Sequence, residues 1–550
     1  MSLSGQVATQ VKTKLQTLAT LTSAGIVRPT RPDRLVNTAV ALARWGPTPA
    51  AGYTSAAARY PTEIGIVDEL GTLNFRQIHE RTNALAHALR EDGIGEGSGV
   101  AIMCRNHRGF IETVVACSKL GANALFLNTA FSKPQLTDVL EREDPAALVY
   151  DAEFAELLEG ADVDLRRYVA WHDPDDEGDD TRLEALIERG DRSNHKPPKA
   201  PGKATILTSG TTGKPKGANR AQPKSMDPIA ALLDRIPLKA RETTVIAAPL
   251  FHSWGYAQWS LGISLASTVV LKRRFDPEAT LSLAAQHRAT ALVVVPVMIQ
   301  RILELEDEVL ERYDLSSLRV VPVSGSALPG SQSGRWTDRF GETLYNLYGS
   351  TEVAWATIAT PEDLREAPGT AGKPPRGTVV KLYDEDGTPV KQGETGRIFV
   401  GNEVQFEGYT GGGNKDVIEG LMSSGDVGHF DDRGRLFVDG RDDDMIVSGG
   451  ENVFPQEVED LLAGHEKIGE AAVFGVDDDE YGQRLKAVVV TRGGELSADE
   501  VKKYVKENLA GYKVPRDVEF IDELPRNATG KVLKRELAKG DAEESEETAG

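Results

Sequence analysis

A chain of 550 residues exceeds one ordinary hydrophobic core and requires at least two domains. Its formal net charge of −21 excludes a general nucleic-acid binder, so any anionic ligand must be held by local Lys, Arg and backbone N–H groups and not by the overall field. Cys104 and Cys117 are the only cysteines, no Cys/His cluster has zinc spacing, and no apolar run is long enough to cross a bilayer; the expectation is a reduced, cytoplasmic protein without disulfides or a structural metal.

The first 50 residues differ from the rest. They carry Lys12, Lys14, Arg28, Arg31, Arg34 and Arg44 against the single acid Asp33, and they lack the apolar core and cleavage site of a secretory signal. Leu35, Ala39, Leu42 and Ala43 recur at helical spacing beside Arg44 and Trp45. Such a helix either makes weak contact with a membrane surface or a greasy substrate or, more commonly, packs on the domain behind it.

Residues 64–67 and 72–74 read as a short β-ribbon, followed by a helix over 75–91. A strand at 99–103, a helix at 108–120 and a strand at 122–127 form a β-α-β unit, which implies a parallel sheet, and a strand at 147–150 extends it. The acidic run 173–180 reads as a solvated loop. An apolar strand end at 204–207 then leads into Leu207-Thr208-Ser209-Gly210-Thr211-Thr212-Gly213-Lys214-Pro215-Lys216-Gly217, with three Gly, four hydroxyls and two Lys in eleven residues. Glycines let the backbone turn sharply and bring its N–H groups close to a ligand, while hydroxyls and ammoniums satisfy phosphate oxygens. It is not a Walker A loop, because Thr208 stands where the first Gly belongs and Pro215 where Ser or Thr is required.

Buried strands are predicted at 245–248, 267–271, 291–295 and 319–323, with helical stretches between most of them. From about 393 the texture changes to short strands (396–400, 427–430, 436–438) and Gly-rich turns. A helix over 456–463, strands over 471–476 and 485–491, a second helix opened by the capping box Ser497…Glu500, and a strand over 518–521 complete the chain. The predicted fold class is α/β, with a large N-terminal multi-sheet domain over 51–440 and a small mobile C-terminal α+β lid over 441–537. The basic extension 1–50 precedes them, and the acidic tail 538–550 has the composition of a disordered segment.

After the Gly-rich loop come, in order, Asn346-Leu347-Tyr348-Gly349-Ser350-Thr351-Glu352, Ser424-Gly425-Asp426, Gly440-Arg441-Asp442-Asp443-Asp444 and Asn527-Ala528-Thr529-Gly530-Lys531. This ordered series resembles the AMP-forming acyl-adenylate superfamily of acyl-CoA synthetases, peptide-synthetase adenylation domains and beetle luciferases, over roughly residues 55–537. The resemblance implies that Thr208, Ser209, Gly210, Thr211, Thr212 and Lys216 hold the triphosphate, and that Gly325, Ser326 and Ala327 line one side of the nucleotide. It places Tyr348 against adenine and Asn346 on its amino group, with Gly349 and Ser350 in the same nucleotide-binding segment. Thr351 would meet the α-phosphate and Glu352 help hold Mg²⁺, a role that suits a carboxylate. Asp426 and Arg441 would take the ribose. Lys531 matches the mobile catalytic lysine that bridges carboxylate and phosphates, and Asp443 matches the hinge. Gly449 and Gly450 would line a CoA tunnel, Tyr512 and Arg516 lie near the CoA nucleotide, and His252 gate the passage from acyl pocket to tunnel.

The acyl pocket is assigned to His252, Trp254, Val297, Gly325 and Trp355. Amino-acid-activating relatives tend to place an Asp shortly after the position of His252; here Ser253, Trp254 and Gly255 follow, so the pocket reads as apolar and uncharged. The implied function is an acyl-CoA synthetase that converts a fatty or other bulky hydrophobic acid, with ATP, Mg²⁺ and coenzyme A, to the acyl-adenylate and then the thioester. The partners are small molecules, with no nucleic acid, and a homodimer is compatible with the sequence. One rival is an acyl-AMP ligase loading a carrier protein, but those relatives commonly carry an insertion before the hinge that is not seen here. A nucleotide-binding pseudoenzyme is the other, opposed by Lys531, Glu352 and the complete phosphate loop.

Overall fold

The computed structural model describes residues 3–28, 31–158, 165–173, 180–209, 215–220, 225–404, 406–409, 415–444, 446–448, 451–478, 482–493, 495–527, 530–534 and 536–538. Two large sheets form the centre of the body. One has eight strands in the order Phe406–Tyr409, Pro215–Arg220, Ala204–Ser209, Asn123–Phe126, Gly99–Met103, Ala147–Asp151, Arg166–Trp171 and Thr181–Arg182. The other has five, in the order Ala291–Val293, Thr243–Ile246, Thr268–Leu271, Ile64–Asp68 and Gly71–Asn74. Every residue of Ala147–Asp151 is buried, as expected of a parallel strand covered on both faces. The helix Arg108–Leu120 is buried along nearly its whole length and belongs to a core shared by both sheets. The neighbouring helix Phe75–Glu91 begins at a reciprocal cap, with Asn74 Oδ1 accepting from Gln77 N and Gln77 Oε1 accepting from Asn74 N, each at 2.9 Å.

Two further sheets, of three and five strands, complete the body. Val321–Val323, Leu344–Tyr348 and Thr357–Ala359 form one, and Val379–Tyr383, Gly396–Gly401, Leu421–Phe430 and Val417–Ile418 form the other, with Leu436–Arg441 paired to Leu421–Phe430. The apolar run at 204–207 proves to be one arm of a hairpin: Ala204–Ser209 pairs with Pro215–Arg220, Thr208 opposite Lys216 and Ser209 opposite Pro215. Ser424-Gly425-Asp426, a sequence that commonly makes turns, lies within a ten-residue strand.

The extension forms helices Leu3–Ser23 and Pro32–Trp45, and both pack on the body. Leu21, Ala24 and Ala41 are buried, Thr17 Oγ1 donates to Asp227 Oδ1, and Ala240 N donates to Ala24 O at 2.7 Å.

The C-terminal unit has its own core around Val453, Val458, Leu462, Val473 and Val489. Its five strands are Glu451–Val453, Ile446–Ser448, Gly482–Thr491, Ile468–Asp478 and Asp517–Phe520, covered by helices Pro455–Ala463 and Ala498–Asn508. The capping box at Ser497 and Glu500 is formed. The fold is therefore α/β, with a large multi-sheet body and a small α+β domain. Ala538, assigned from sequence to the tail, packs on this domain's Phe474–Leu524 cluster, while 539–550 lie outside the described residues.

Candidate active site

The site gathers where the parallel strands Val321–Val323 and Leu344–Tyr348 end, beside a mid-strand carboxylate of the neighbouring antiparallel sheet. After Leu344–Tyr348 the chain turns at Gly349, where a Cβ would stand 2.2 Å from Ala354 O, so no larger residue fits. Ser350 Oγ accepts from the N–H groups of Glu352 (3.2 Å) and Val353 (3.3 Å), which fixes the turn carrying Thr351 and Glu352. Phe406 N donates to Glu352 O at 3.2 Å, tying that turn to the edge of the eight-stranded sheet. Asn346 is buried and donates through Nδ2 to Thr370 O at 3.3 Å. Beyond the parallel strand Val321–Val323, Gly325 takes φ +107°, a conformation that favours glycine, and Ser326 and Ala327 follow it on the exposed rim.

Asp426 faces this turn from the neighbouring sheet. Its backbone pairs with that of Arg441, and the register brings Arg441 Nη1 to 3.3 Å from Asp426 Oδ1. Tyr348 donates its phenolic proton to Asp426 Oδ2 at 2.5 Å, with Ser424 Oγ 3.0 Å away. Burial pushes the Asp426 carboxyl up, and Arg441, Tyr348, Lys531 and Ser424 draw it back. Burial and the adjacent Asp426 push the Tyr348 phenol well up, so it stays a proton donor.

Lys531 follows Gly530 at the edge of the small domain that meets the body. Lys531 N donates to Asn527 Oδ1 at 2.9 Å, Arg526 Nη1 to Gly530 O at 2.5 Å, and Gly530 has φ +82°. The loop rests on the body at Val297, whose Cγ1 would be 2.4 Å from a Cβ at position 530. Gln300 Nε2 donating to Gly469 O at 3.3 Å, and Arg301 3.5 Å from Glu523, extend the same contact.

The acyl-pocket candidates are partly united. Trp254 is buried, and its Nε1 donates to Val294 O at 3.0 Å; Val295 then approaches both Gly325 and Gly530, so Trp254, Gly325, Val297 and the lysine loop share one stretch of backbone. Trp355 follows the Thr351 turn and packs, as Val297 does, against the core that holds Trp254, its Nε1 donating to Thr378 Oγ1 at 3.1 Å. His252 precedes the helix Ser253–Ser264, and burial lowers its pKa to about 4, so the ring is neutral near pH 7. Beside it opens a cavity of about 340 Å³ lined by Arg105, Asn106, Phe251, Arg273, Arg274 and Met298 among others, a feature no motif announces.

Gly210, Thr211, Thr212, Gly449 and Gly450 lie outside the described residues; Thr208, Ser209 and Lys216 are located by their hairpin strands, and Asp443 by the 3₁₀ turn Asp442–Asp444 directly after Arg441. Tyr512 and Arg516 lie exposed on the small domain's own surface. Two residues were missed from sequence. Lys415 Nζ and the Arg441 guanidinium converge on Gly425, 3.2 and 3.4 Å from where a Cβ would stand. Arg397 pairs with Asp442 (3.0 Å) and Asp416 (2.8 Å), bracing the 3₁₀ turn. Neither sits in a recognisable motif.

Among the described residues, Cys104, His107 and Asp151 form a group with metal-ligating atoms. Its donors are engaged: His107 Nε2 lies 2.8 Å from Asp151 Oδ1, His107 Nδ1 accepts from Gly109 N, and Asp151 Oδ2 accepts from Arg105 N. It is a buried structural network. The Thr351–Glu352 turn, with a hydroxyl beside one carboxylate, is the donor set that suits Mg²⁺ shared with substrate phosphates.

A buried carboxylate braced by a phenol and an arginine, faced by a lysine from a second domain, defines a two-domain adenylate-forming enzyme. The AMP-binding enzyme family model matches residues 53–410, and that of the AMP-binding enzyme C-terminal domain matches 457–531. The chain is 34% identical to the indoleacetate–CoA ligase of Aromatoleum aromaticum over 84% of this chain and 92% of that protein. It is also 34% identical to a feruloyl-CoA synthase of Amycolatopsis sp, over 84% and 93%. The anthranilate CoA ligase AuaEII, solved with anthranoyl-AMP, matches with a TM-score of 0.82 and 26% identity, covering 90% of this chain and 98% of that one. The chain belongs to the AMP-binding enzyme family.

Proposed function

We infer that this AMP-forming acid–CoA ligase activates a bulky, uncharged-tail monocarboxylic acid, with aromatic acids as the leading class, using ATP, Mg²⁺ and coenzyme A. The observation that carries the chemistry is the Asp426–Tyr348–Arg441 cluster, with Gly530, the neighbour of Lys531, seated on the body at Val297. The substrate reading rests on the neutral His252 and the absence of an acid at Ser253, Trp254 and Gly255, which leave no partner for an ammonium. The relatives named above, for indoleacetate, ferulate and anthranilate, turn the preference from the fatty acids expected from sequence towards ring-bearing acids.

Asp426 accepts the ribose hydroxyl protons, Arg441 braces it, Tyr348 offers its ring to adenine and Asn346 its amide. The 207–217 hairpin turn, including Lys216, holds the β- and γ-phosphates. Glu352 and Thr351 would hold Mg²⁺, which supplies charge neutralisation on the phosphates. A carboxylate oxygen of the acid attacks the α-phosphorus, the α–β anhydride bond breaks, and Lys531 stabilises the charge that develops as pyrophosphate leaves. In the second half-reaction the CoA sulfur attacks the acyl carbonyl and AMP departs. The unit 441–537 turns about Asp443 between the two steps, bringing Gly449, Gly450, Tyr512 and Arg516 to the CoA path while His252 gates the passage.

Pyrophosphate release over a panel of acids, with and without CoA, tests this reading. Aryl-acetic and cinnamic acids should lead, with amino acids at least about 100-fold lower because an unpaired buried ammonium costs several kcal/mol. A linear fatty acid as the best substrate would overturn the aromatic preference, and release unaffected by CoA with acyl transfer to a carrier protein would overturn the acceptor.

A further inference from the structure

The extension carries a surface that the reaction does not use. Its helices are anchored by one face, through Leu21, Ala24 and Ala41, yet each presents a second apolar face outward. On the first helix Leu15, Leu18 and Ala19 are exposed at i, i+3, i+4 spacing; on the second, Val36, Ala39, Val40 and Ala43 are exposed at i, i+3, i+4, i+7, with Leu42 beside them. Leu15 is 63% exposed, Val36 59% and Leu42 51%, in positions where a surface helix ordinarily carries polar residues. Around them stand the exposed cations Lys12, Lys14, Arg31 and Arg44, and the first 50 residues hold six basic residues against one acid in a chain of net charge −21.

We propose that the extension docks this enzyme on an anionic lipid surface, its aliphatic side chains entering the headgroup–acyl boundary and its Lys and Arg side chains meeting the lipid phosphates. Apolar side chains rimmed by cations are the composition of an interfacial helix. The acidic remainder of the molecule is repelled by the same surface, which orients the extension towards it. No helix among the described residues is long and apolar enough to cross a membrane, so the contact lies on the bilayer and does not span it. The two faces offer aliphatic side chains without an exposed aromatic anchor among the described residues, which sets them apart from the Tyr- and Trp-rich centre of a protein interface. The proposal does not depend on which acid the enzyme activates.

The test is sedimentation of the full-length enzyme with vesicles of phosphatidylcholine alone, or of phosphatidylcholine and phosphatidylglycerol in equal parts, at low and high salt. Pelleting with the anionic vesicles only, weakened by salt, is the expected result. Replacing Leu15, Leu18, Val36 and Val40 together by Ser should lower the partition coefficient at least about tenfold. The Lys12→Gln, Lys14→Gln, Arg44→Gln variant should lower it by on the order of tenfold to a hundredfold. All seven positions are exposed, so both variants should keep wild-type turnover of a soluble acid in vesicle-free buffer. Absence of pelleting, equal pelleting with neutral vesicles, or variants that pellet like wild type would overturn the proposal. So would a concentration-dependent dimer in light scattering that the Ser variant abolishes, because the face would then belong to a second copy of the chain.

Discussion

The two halves of the site are built differently. The Asp426 half is assembled within the body: a carboxylate in mid-strand, paired across the sheet with Arg441 and capped by a half-buried phenol, all held by long-range backbone register. The Lys531 half is an exposed lysine held by its neighbour Asn527, next to a Gly530 that Arg526 holds, and among the described residues it meets the body through small contacts such as Gly530 on Val297. A preformed carboxylate suits a ligand that stays through both half-reactions. A lightly docked lysine suits a group needed in one of them.

The largest expected effect breaks that asymmetry at Lys531. Lys531→Ala should slow adenylate formation by on the order of 10²–10³, as removal of one preorganised electrostatic partner does. Thioester formation from supplied acyl-adenylate should stay near wild type. Equal loss in both steps, measured by single-turnover kinetics, would show that the two halves are not divided by reaction step.

Asp426→Ala is the complementary break. It removes the proposed ribose acceptor and the carboxylate that Arg441 and the Tyr348 hydroxyl share, so kcat/KM for ATP should fall by about 10²-fold, equivalent to one or two charge-assisted hydrogen bonds. Because AMP remains bound through both steps, the two half-reactions should suffer alike, in contrast to Lys531→Ala. A loss confined to adenylation would contradict the reading.

These halves were unequally legible in the sequence. The helices Phe75–Glu91 and Arg108–Leu120 fall at the predicted bounds because periodicity and capping are local signals. The strand Pro215–Arg220 was not seen, since Pro, Lys, Gly, Asn and Arg make no apolar run; it exists because Ala204–Ser209 offers it a partner. Ser424-Gly425-Asp426 belongs to a strand for the same reason, held between Gly396–Gly401 and Leu436–Arg441. Lys415, Arg397 and the arginine-lined cavity beside Phe251 arise from residues far apart in the chain, which no linear pattern brings together. Motif order named the chemistry; tertiary pairing decided which side chains meet.

A smaller effect sharpens the comparison at the junction of the two domains. Arg397 holds Asp442 from the body side, so Arg397→Ala should release the 3₁₀ turn and alter the ratio of the two half-reaction rates severalfold, with little change in stability because the pair is partly exposed. Asp443→Pro should act more sharply, freezing whichever hinge state its fixed φ fits and impairing one half-reaction far more than the other. Uniform mild loss in both variants would mean that this turn is not the pivot.

The smallest effect concerns acid. His79, His195 and His252 all lie in the body, and burial lowers their pKa values to about 4, about 3 and about 4; like-charged neighbours add to this for His79 and His195. Each is lower than the ordinary histidine value, so between about pH 6.5 and 4 the unfolded chain binds protons that the folded body refuses. Stability must then rise with pH across that window and be lost as pH falls through it. His429, whose hydrogen bond to Asp439 raises its pKa, works the other way, as do Asp426 and Glu112, whose carboxyls burial raises; they offset part of the loss. His287 is lowered by burial too, so the histidine contribution should lower the body's melting temperature between pH 7 and pH 5. His252→Gln should flatten that slope measurably in calorimetry, because a neutral amide takes up no proton in either state. An unchanged slope would show that His252 is solvated enough to titrate normally, and its assignment as a neutral gate would fall with it.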